Sequence, residues 1–259
     1  MKKVEEVLAT TARRIGLEVS RVSSSRNRVP VEATPDEVQA IRDLSPYTMT
    51  SSERLWSLLR AVTYLEAEQI PGDFVECGVW RGGSAMAMLE QLRHLGSSSR
   101  ELWLYDTYSG MTPPSAFDVE HSTGRTAADL LTESPKTEGD SVWCIASLDD
   151  VRANISGTGY PMNRVHFVQG DVAETLKEQV PEQIALLRLD TDWYESTRAS
   201  LEYLYPRLVA GGICILDDYG HWEGARKAVD DFFQSQGTRP LMHPIDYSGR
   251  IFHKPASHA

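Results

Sequence analysis

The chain has 259 residues, a formal net charge of −11, and contents of 41% hydrophobic and 24% charged residues. This length fits one large α/β domain with extensions, and the composition is that of a soluble protein with a sizeable core. The negative charge argues against general binding to nucleic acid or to anionic membranes, and no apolar run approaches the roughly 18 residues of a membrane span.

The cysteines and the start of the chain indicate the compartment. Cys77, Cys144 and Cys214 have no metal-ligand spacing, and the first and last of them fall within predicted strands. This pattern is typical of small buried thiols in a reducing compartment. The first residues include acidic ones and no apolar stretch long enough for a secretory signal, so we expect a cytoplasmic protein.

The first 45 residues are predicted to form a helical arm and a linker. Apolar residues at helical spacing over residues 2–17 indicate a short amphipathic helix, for which packing on protein is favoured over membrane docking. Residues 20–31, rich in Ser and Arg, are typical of a linker. A further helix is predicted to begin after Thr34, because Pro follows at once and Glu37 stands three residues after this cap.

Residues 46–259 are predicted to form one domain in which strands and helices alternate. Apolar runs predict seven strands, at 73–77, 101–105, 164–168, 184–189, 213–216, 241–245 and 250–253. Helices are predicted at 51–69, 84–95, 148–155, 174–179, 195–208 and 222–236. This alternation predicts a doubly wound α/β fold with a mostly parallel sheet and an antiparallel hairpin at one edge. Residues 111–142, rich in Pro, Gly and polar residues, are an insertion that we expect to act as a lid.

A glycine turn follows the first strand, in the sequence DFVECGVWRGGS at residues 73–84. Gly78, Gly82 and Gly83 would allow a ligand to approach the backbone, and the helix that follows presents free N–H groups. The spacing is neither G-x-G-x-x-G nor that of a phosphate loop. Glu76, two residues before the first glycine, suits a ligand with an ammonium group. This combination favours the amino-acid end of S-adenosylmethionine.

Three other side chains near these strand ends are candidates for the same ligand. Arg81 is expected either to meet the cofactor carboxylate or to form an ion pair with Glu76. Asp106, at the end of the second strand, is placed to accept hydrogen bonds from ribose hydroxyls. Asp171, after the third strand, could accept one from an adenine amino group. The order of these acids along successive strands is more informative than any one of them.

Three acids follow two neighbouring apolar runs. Asp190 follows the run at 184–189, and Asp217 and Asp218 follow the run at 213–216. One helix-sized segment separates the runs, so we expect two adjacent parallel strands whose carboxyl ends bring the three carboxylates together. Like charges this close are costly unless a positive charge lies among them, which favours a hard divalent cation. The alternative is that each acid only caps the helix after it.

Four segments of the chain resemble the macrocin O-methyltransferase family, over about residues 48–252: VECGVWRGGS, LYDTYSGM, LLRLDTDWYESTRASLEYLYPRLVAGGICILDDY and GARKAVDDF. Members of this family methylate sugar hydroxyls on macrolide, aminocoumarin and related natural products, using S-adenosylmethionine and usually Mg²⁺. The resemblance implies the Rossmann-like fold of class I methyltransferases, a small-molecule glycoside as acceptor, and an assembly of two or more identical subunits.

The resemblance also implies roles for particular residues. It places the metal carboxylates at Asp190, Asp217 and Asp218, with Asp190 also as the base. It assigns the glycine turn and Asp106 to the cofactor. Met49 corresponds to a methionine near cofactor and substrate, with simple packing under the following helix as the alternative.

A cation held by these carboxylates could bind two neighbouring hydroxyls and lower the pKa of one of them, whose proton Asp190 would take. A vicinal diol fits, whether on a sugar or on a catechol, and the resemblance favours the sugar. His221 could assist the proton transfer or ligate the metal, or could be merely solvated. Trp193 and Tyr194 could line the pocket or pack in the core.

Two functions from other classes are weighed against a methyltransferase. A dinucleotide-dependent oxidoreductase would share the sheet, but the missing glycine spacing and the three acids argue against it. A non-catalytic binding module would have no use for three carboxylates that repel one another.

Overall fold

A computed structural model of the chain describes residues 29–137 and 142–255. The amphipathic helix predicted at residues 2–17 and most of the linker predicted at 20–31 lie outside these residues. Within the described ranges, no helix is both long enough and apolar enough to cross a membrane.

The described residues form a single seven-stranded sheet. Its strands are β1 (Asp73–Cys77), β2 (Leu102–Asp106), β3 (Val165–Gln169), β4 (Ile184–Leu189), β5 (Leu208–Leu216), β6 (His243–Pro244) and β7 (Arg250–His253). They are ordered β3-β2-β1-β4-β5-β7-β6, and β1 to β5 are parallel. β7 is antiparallel to both β5 and β6. The predicted doubly wound, mostly parallel sheet with an antiparallel hairpin at its edge is confirmed.

Helices connect the parallel strands and cover both faces of the sheet. They are α1 (Pro35–Leu44), α2 (Ser52–Ala67), α3 (Gly83–His94), α4 (Ala127–Glu133), α5 (Leu148–Gly157), α6 (Val172–Thr175), α7 (Tyr194–Leu204) and α8 (Glu223–Ser235). The cap predicted at Thr34 is confirmed: its hydroxyl accepts from the N–H of Glu37, whose carboxylate accepts from the N–H of Thr34. Two reciprocal bonds therefore fix the start of α1.

Several predicted boundaries are wrong. The helix expected at 174–179 lies at Val172–Thr175, and the strand expected at 241–245 is limited to His243–Pro244. The helix expected to reach residue 208 ends at Leu204, and a 3-10 turn over Tyr205–Arg207 leads into a strand that already begins at Leu208. Proline in the middle of this turn lacks the N–H that a longer α-helix would need. The strand was predicted to start at residue 213 because only the apolar run at 213–216 was counted, and β5 also includes two glycines before that run.

Two apolar cores hold the layers together. On one face α1, α2 and α3 pack on the sheet, with Leu55 and Leu59 of α2 and Ile41 of α1 in the same core. On the other face α7 and α8 pack on the sheet through Leu201, Val229 and Phe232. Every residue of β4 is buried, as expected for a parallel strand covered on both faces.

The described part of the insertion, residues 111–137, packs on a small core of its own. Ala127 and Leu131 of α4 contact Trp193, Trp222 and Ala225. An isolated antiparallel bridge pairs Glu120 with Trp222. The insertion is therefore docked on the segments that precede α7 and α8.

Candidate active site

A cavity of about 770 Å³ lies at the carboxyl ends of the parallel strands. Its wall includes the residues that directly follow each of β1 to β5: Gly78, Thr107, Gly170, Asp190 and Asp217. The volume is in the usual range for small-molecule sites, and this edge is where open α/β sheets bind ligands.

The glycines of the turn allow other protein segments to come close. Gly78 has φ +82°, and a Cβ there would lie 1.8 Å from the backbone oxygen of Asp190. A Cβ on Gly83 would lie 2.6 Å from the carbonyl oxygen of Tyr47. Gly78 lines the cavity, whereas Gly82 and Gly83 do not appear on the wall formed by the described residues. Gly82 instead packs on Val151.

Asp106 fixes the conformation of the glycine turn. Its Oδ2 accepts hydrogen bonds from the N–H groups of Val79 (2.6 Å) and Trp80 (3.2 Å), and its Oδ1 accepts one from Tyr108 (2.6 Å). Burial raises the pKa of Asp106, although these three donors oppose the shift. The side chain lines the cavity, as its predicted role requires.

Asp171 is on the cavity wall and is also a helix cap. Its Oδ1 accepts a hydrogen bond from the N–H of Ala173 (2.9 Å) at the start of α6. Asp171 therefore has the capping role that is common for an Asp after a strand. Its contact with adenine stays a prediction.

Arg81 does not pair with Glu76, so that expectation is wrong. Its guanidinium forms a two-point ion pair with Asp150, with Nε 2.9 Å from Oδ2 and Nη2 3.2 Å from Oδ1, and also donates to the carbonyl of Pro46. This pair lowers the pKa of Asp150. Among the described residues that line the cavity, Arg81 is absent. Its contacts hold the turn to α5 and to the segment before α2.

Glu76 is fully buried and pairs with an arginine in the neighbouring strand. Its Oε1 lies 2.5 Å from Nη1 of Arg188, the residue opposite it in the register of β1 and β4. Burial raises the pKa of Glu76 to about 8, against the opposing charge of Arg188. Its Oε2 finds no hydrogen-bond partner among the described residues, and the side chain is not on the cavity wall. A direct contact with the cofactor ammonium stays a prediction.

Two arginines supply positive charge that the sequence analysis missed. Nη2 of Arg188 lies 2.9 Å from Oδ2 of Asp190 and 2.7 Å from Oδ1 of Asp217. Arg54 of α2 contacts Oδ2 of Asp217 through Nη1 and lies 3.0 Å from Asp246 through Nε. Burial opposes ionisation of Asp217, but the two guanidinium groups hold its pKa below the usual value.

The arginine in β4 could have been found from the sequence. Arg188 interrupts an otherwise apolar run, and a charged residue in a fully buried strand is rare unless it is paired. The sequence offers no comparable signal for Arg54, whose partners are more than 160 residues away.

Three carboxylates form the group best suited to a cation. One oxygen each from Asp190, Asp192 and Asp218 lies within 4.8 Å of the others. Burial and mutual repulsion raise the pKa of Asp190 and Asp218 well above the usual value and that of Asp192 to about 7. Oδ2 of Asp218 is buried and has no hydrogen-bond partner among the described residues. Oxygen ligands of this kind are those that hard cations such as Mg²⁺ prefer, so the residues fit the ion.

This group differs from the predicted set in one member. Asp192, which the sequence analysis passed over, joins it through a backbone with φ +54°, a conformation that Asp tolerates better than most residues. Asp217 lies beside the group, with Oδ2 held by Thr50 (3.0 Å) and Arg54 and with Oδ1 facing Arg188. Its role as a ligand stays a prediction. Helix capping does not explain the acids, because the caps of α7 and α8 are Trp193 and Trp222.

The charges at this end of the cavity do not balance. Six carboxylates contact the two arginines or one another: Glu76, Asp190, Asp192, Asp217, Asp218 and Asp246. With two guanidinium groups among them, four negative charges remain if all six are ionised. The arginines therefore supply only part of the positive charge that the acids require.

The remaining candidates take different positions. Met49 is 45% exposed and lines the cavity, so it does not simply pack under α2. His221 lines the cavity with Nδ1 3.3 Å from the hydroxyl of Tyr247, and it lies outside the group of three carboxylates. Trp193 both lines the cavity and packs in the core of the insertion. Tyr194 instead donates its hydroxyl to Asp231 of α8.

Comparison with known proteins identifies relatives over most of the chain. The sequence model of the macrocin-O-methyltransferase (TylF) family matches residues 5–254. The chain is 36% identical over 213 residues to 8-demethyl-8-(2,3-dimethoxy-alpha-L-rhamnosyl)-tetracenomycin-C 4'-O-methyltransferase of Streptomyces olivaceus, covering 82% of this chain and 77% of the relative. It is 31% identical over 203 residues to demethyldecarbamoylnovobiocin O-methyltransferase of Streptomyces niveus, covering 78% and 74%.

A solved structure shares the architecture. The O-methyltransferase NovP superposes with a TM-score of 0.69 at 28% sequence identity, covering 81% of this chain and 83% of that protein. The superposition extends over most of both chains, so the arrangement of strands and helices described above is that of a methyltransferase.

Proposed function

Because the chain belongs to the macrocin O-methyltransferase family, we propose that it transfers the methyl group of S-adenosylmethionine to a sugar hydroxyl of a natural-product glycoside, with Mg²⁺ bound at the site. The Streptomyces olivaceus relative is named for a rhamnosyl-tetracenomycin, which supports a sugar-like acceptor. The observation that carries the proposal is the group of three carboxylates on the same cavity wall as Gly78 and Asp106.

The end of the cavity beside the glycine turn suits the cofactor. Oδ2 of Asp106 takes two backbone donors and Oδ1 takes one, so Oδ1 retains a lone pair for a ribose hydroxyl. Asp171 presents its second oxygen at the same end for an adenine amino group. Glu76, Arg81, Gly82 and Gly83 would act there by holding the turn and its neighbours in place. Their direct contact with the cofactor stays a prediction.

The other end suits a cation and a diol. Asp190, Asp192 and Asp218 would hold Mg²⁺, with Asp217 beside them. When bound, Mg²⁺ would supply the positive charge that lowers the pKa of a sugar hydroxyl in contact with it. The raised pKa values of the three carboxyls support this assignment, because positive charge is what this group lacks.

Asp190 is the proposed base. Its Oδ2 faces Nη2 of Arg188, which leaves Oδ1 to accept the proton of the hydroxyl. The ion pair with Arg188 also fixes the orientation of the carboxylate. Methyl transfer from a sulfonium is an in-line displacement, so the rest of the site contributes mainly position. Met49, Met111 and Leu130 line the cavity and suit the apolar part of a glycoside.

The first test is calorimetric titration with S-adenosylhomocysteine, with and without Mg²⁺. We expect micromolar binding, followed by methyl transfer to glycosides with a vicinal diol that stops when a chelator is added. A matched glycoside that lacks one hydroxyl of the diol is the control and should react far more slowly. Absence of binding would exclude the proposed cofactor, and full activity in the presence of chelator would exclude the metal.

A further inference from the structure

The two helices that follow the catalytic carboxylates begin at residues that cannot cap them. α7 begins at Tyr194 after the cap Trp193, which directly follows Asp192, and α8 begins at Glu223 after the cap Trp222. The indole group has an N–H donor and no acceptor, so it cannot receive the unpaired N–H groups of a first turn. These helix starts need an acceptor from elsewhere in the fold.

Asp118 of the insertion supplies that acceptor. Its side chain is buried, with 1% of the residue exposed, and its Oδ1 accepts the N–H of Tyr194, the first residue of α7, at 2.7 Å. The same oxygen packs on the first turn of α8, since a Cβ on Gly224 would lie 1.9 Å from it. Oδ2 accepts from the N–H (2.6 Å) and the hydroxyl (2.8 Å) of Ser115. One carboxylate therefore touches both helix starts.

The backbone around Asp118 strengthens the same link. The carbonyl of Val119 accepts the N–H of Glu223, the first residue of α8, at 2.9 Å, and the N–H of His121 donates to the carbonyl of His221 at 2.9 Å. The insertion thus supplies the acceptor for the first N–H group of α8. Because it also supplies the acceptor for the first N–H group of α7, it holds the two helix starts together.

We propose that Asp118 is a positioning residue for the carboxylate group: it holds the starts of α7 and α8 together and so sets the distance between Asp190 and Asp192 on one loop and Asp218 on the other. A carboxylate at a helix N-terminus is favoured both as a cap and by the helix dipole. The insertion is then part of the catalytic framework as well as part of the cavity wall. This inference rests on the proposed function, because it assigns Asp118 to the metal and base end of that site.

The experiment compares Asp118→Ala with Ser115→Ala, which removes a hydroxyl that contacts the same carboxylate but leaves Oδ1 on both helices. Mn²⁺ binding is measured by electron paramagnetic resonance, S-adenosylhomocysteine binding by calorimetry, and turnover with a vicinal-diol glycoside. Residues that orient metal ligands typically change affinity or activity by about 10- to 100-fold. We expect a loss of this size in Mn²⁺ affinity and kcat for Asp118→Ala, and S-adenosylhomocysteine affinity within about twofold of the unaltered protein. Ser115→Ala should behave as the unaltered protein.

Asp118→Asn keeps an acceptor oxygen for the N–H of Tyr194. Its Mn²⁺ affinity and kcat should therefore lie between those of Asp118→Ala and Ser115→Ala. A folded Asp118→Ala protein with unchanged Mn²⁺ affinity and kcat overturns the inference, whatever its melting temperature. If Asp118→Ala does not fold, Gly224→Ala displaces the carboxylate without removing it, and unchanged metal binding and turnover in that variant overturn the inference equally.

Failure of the proposed function would be visible in the unaltered protein. If that protein bound neither S-adenosylhomocysteine nor Mn²⁺, the methyl-transfer proposal would fail and the positioning role with it. If it bound and turned over normally while the Asp118 variants matched it, only the positioning role would fail.

Discussion

The two ends of the cavity are built by different forces. At the end beside the glycine turn, the charge of Asp106 is met by three backbone N–H groups, those of Val79, Trp80 and Tyr108. At the carboxylate end, side chains from α2, β1, β4 and β5 are held by ion pairs through Arg54 and Arg188. The carboxylate of the first end is stabilised by neutral backbone donors, and the carboxylates of the second end are held by charged side chains, some of them distant in the sequence.

Because of this difference, we expect the end beside the glycine turn to bind the cofactor and the carboxylate end to carry out the chemistry. Backbone donors make a stable, rigid receptor that needs no added charge, as a cofactor site requires. The carboxylate end keeps an oxygen of Asp218 without a hydrogen-bond partner among the described residues, and several of its carboxyl pKa values are raised, so it gains most from a cation. Substitutions at one end should therefore leave the property of the other end largely intact.

The largest expected effect is on turnover. Asp190→Asn should lower kcat by about 10³-fold or more, because it removes both a metal ligand and the proposed base, as loss of a catalytic group typically does. S-adenosylhomocysteine affinity should change by less than about twofold, since the glycine turn is untouched. Asp230→Asn on the surface of α8 is the matched control and should retain full activity. Retention of most activity by Asp190→Asn would remove it from the role of base.

The next effect is on stability. Arg188→Met leaves Glu76 buried without a partner and leaves Asp217 only the ion pair with Arg54, so it should lower the free energy of unfolding by about 3–5 kcal/mol, measured with urea. Adding Glu76→Gln to this variant should recover part of the loss, because one uncompensated charge is then removed. Arg239→Met, at an exposed position after α8, should be near neutral. A loss equal to that of the control would mean that Arg188 does not hold the acids together.

Metal affinity should rise with pH. Burial and mutual repulsion raise the pKa of Asp192 to about 7 and raise those of Asp190 and Asp218 well above the usual value, so at lower pH the group holds protons that a cation must displace. If one proton is displaced, Mg²⁺ affinity should increase about tenfold per pH unit between pH 6 and pH 7. Calorimetry at several pH values gives the slope, which Asp192→Asn should reduce. A flat profile would contradict a protonated carboxylate group.

Gly78 is the point at which the two ends touch. Alanine at positive φ costs about 1–2 kcal/mol wherever it occurs. Gly96→Ala supplies that reference, because Gly96 has φ +73° and nothing within 4 Å of a Cβ. Gly78→Ala should lose more stability in urea and also weaken turnover, because its Cβ would displace the backbone of Asp190. Equal losses in the two variants would show that this contact relaxes at little cost.

The sequence predicted what is local and periodic. Apolar runs placed β1 and β4 at their observed bounds, and the strand order brought Asp190 and Asp218 to one edge of the sheet. It did not predict that Arg188 pairs with Glu76, because that contact depends on the register between β1 and β4. Arg54 and Asp118 were missed for the same physical reason: their roles depend on partners far away in the chain.

The smallest expected effect distinguishes the two roles of Asp171. As the cap of α6 it should contribute about 1 kcal/mol to stability, and a hydroxyl can replace a carboxylate in that role. Asp171→Ala should therefore lower the free energy of unfolding while Asp171→Ser retains most of it. If the second carboxylate oxygen also receives the adenine amino group, both variants should weaken S-adenosylhomocysteine binding by a similar few-fold, because neither keeps that oxygen. If S-adenosylhomocysteine affinity were unchanged in Asp171→Ser and reduced only in Asp171→Ala, Asp171 would act only as a cap. The adenine amino group would then bind the backbone of the cavity wall.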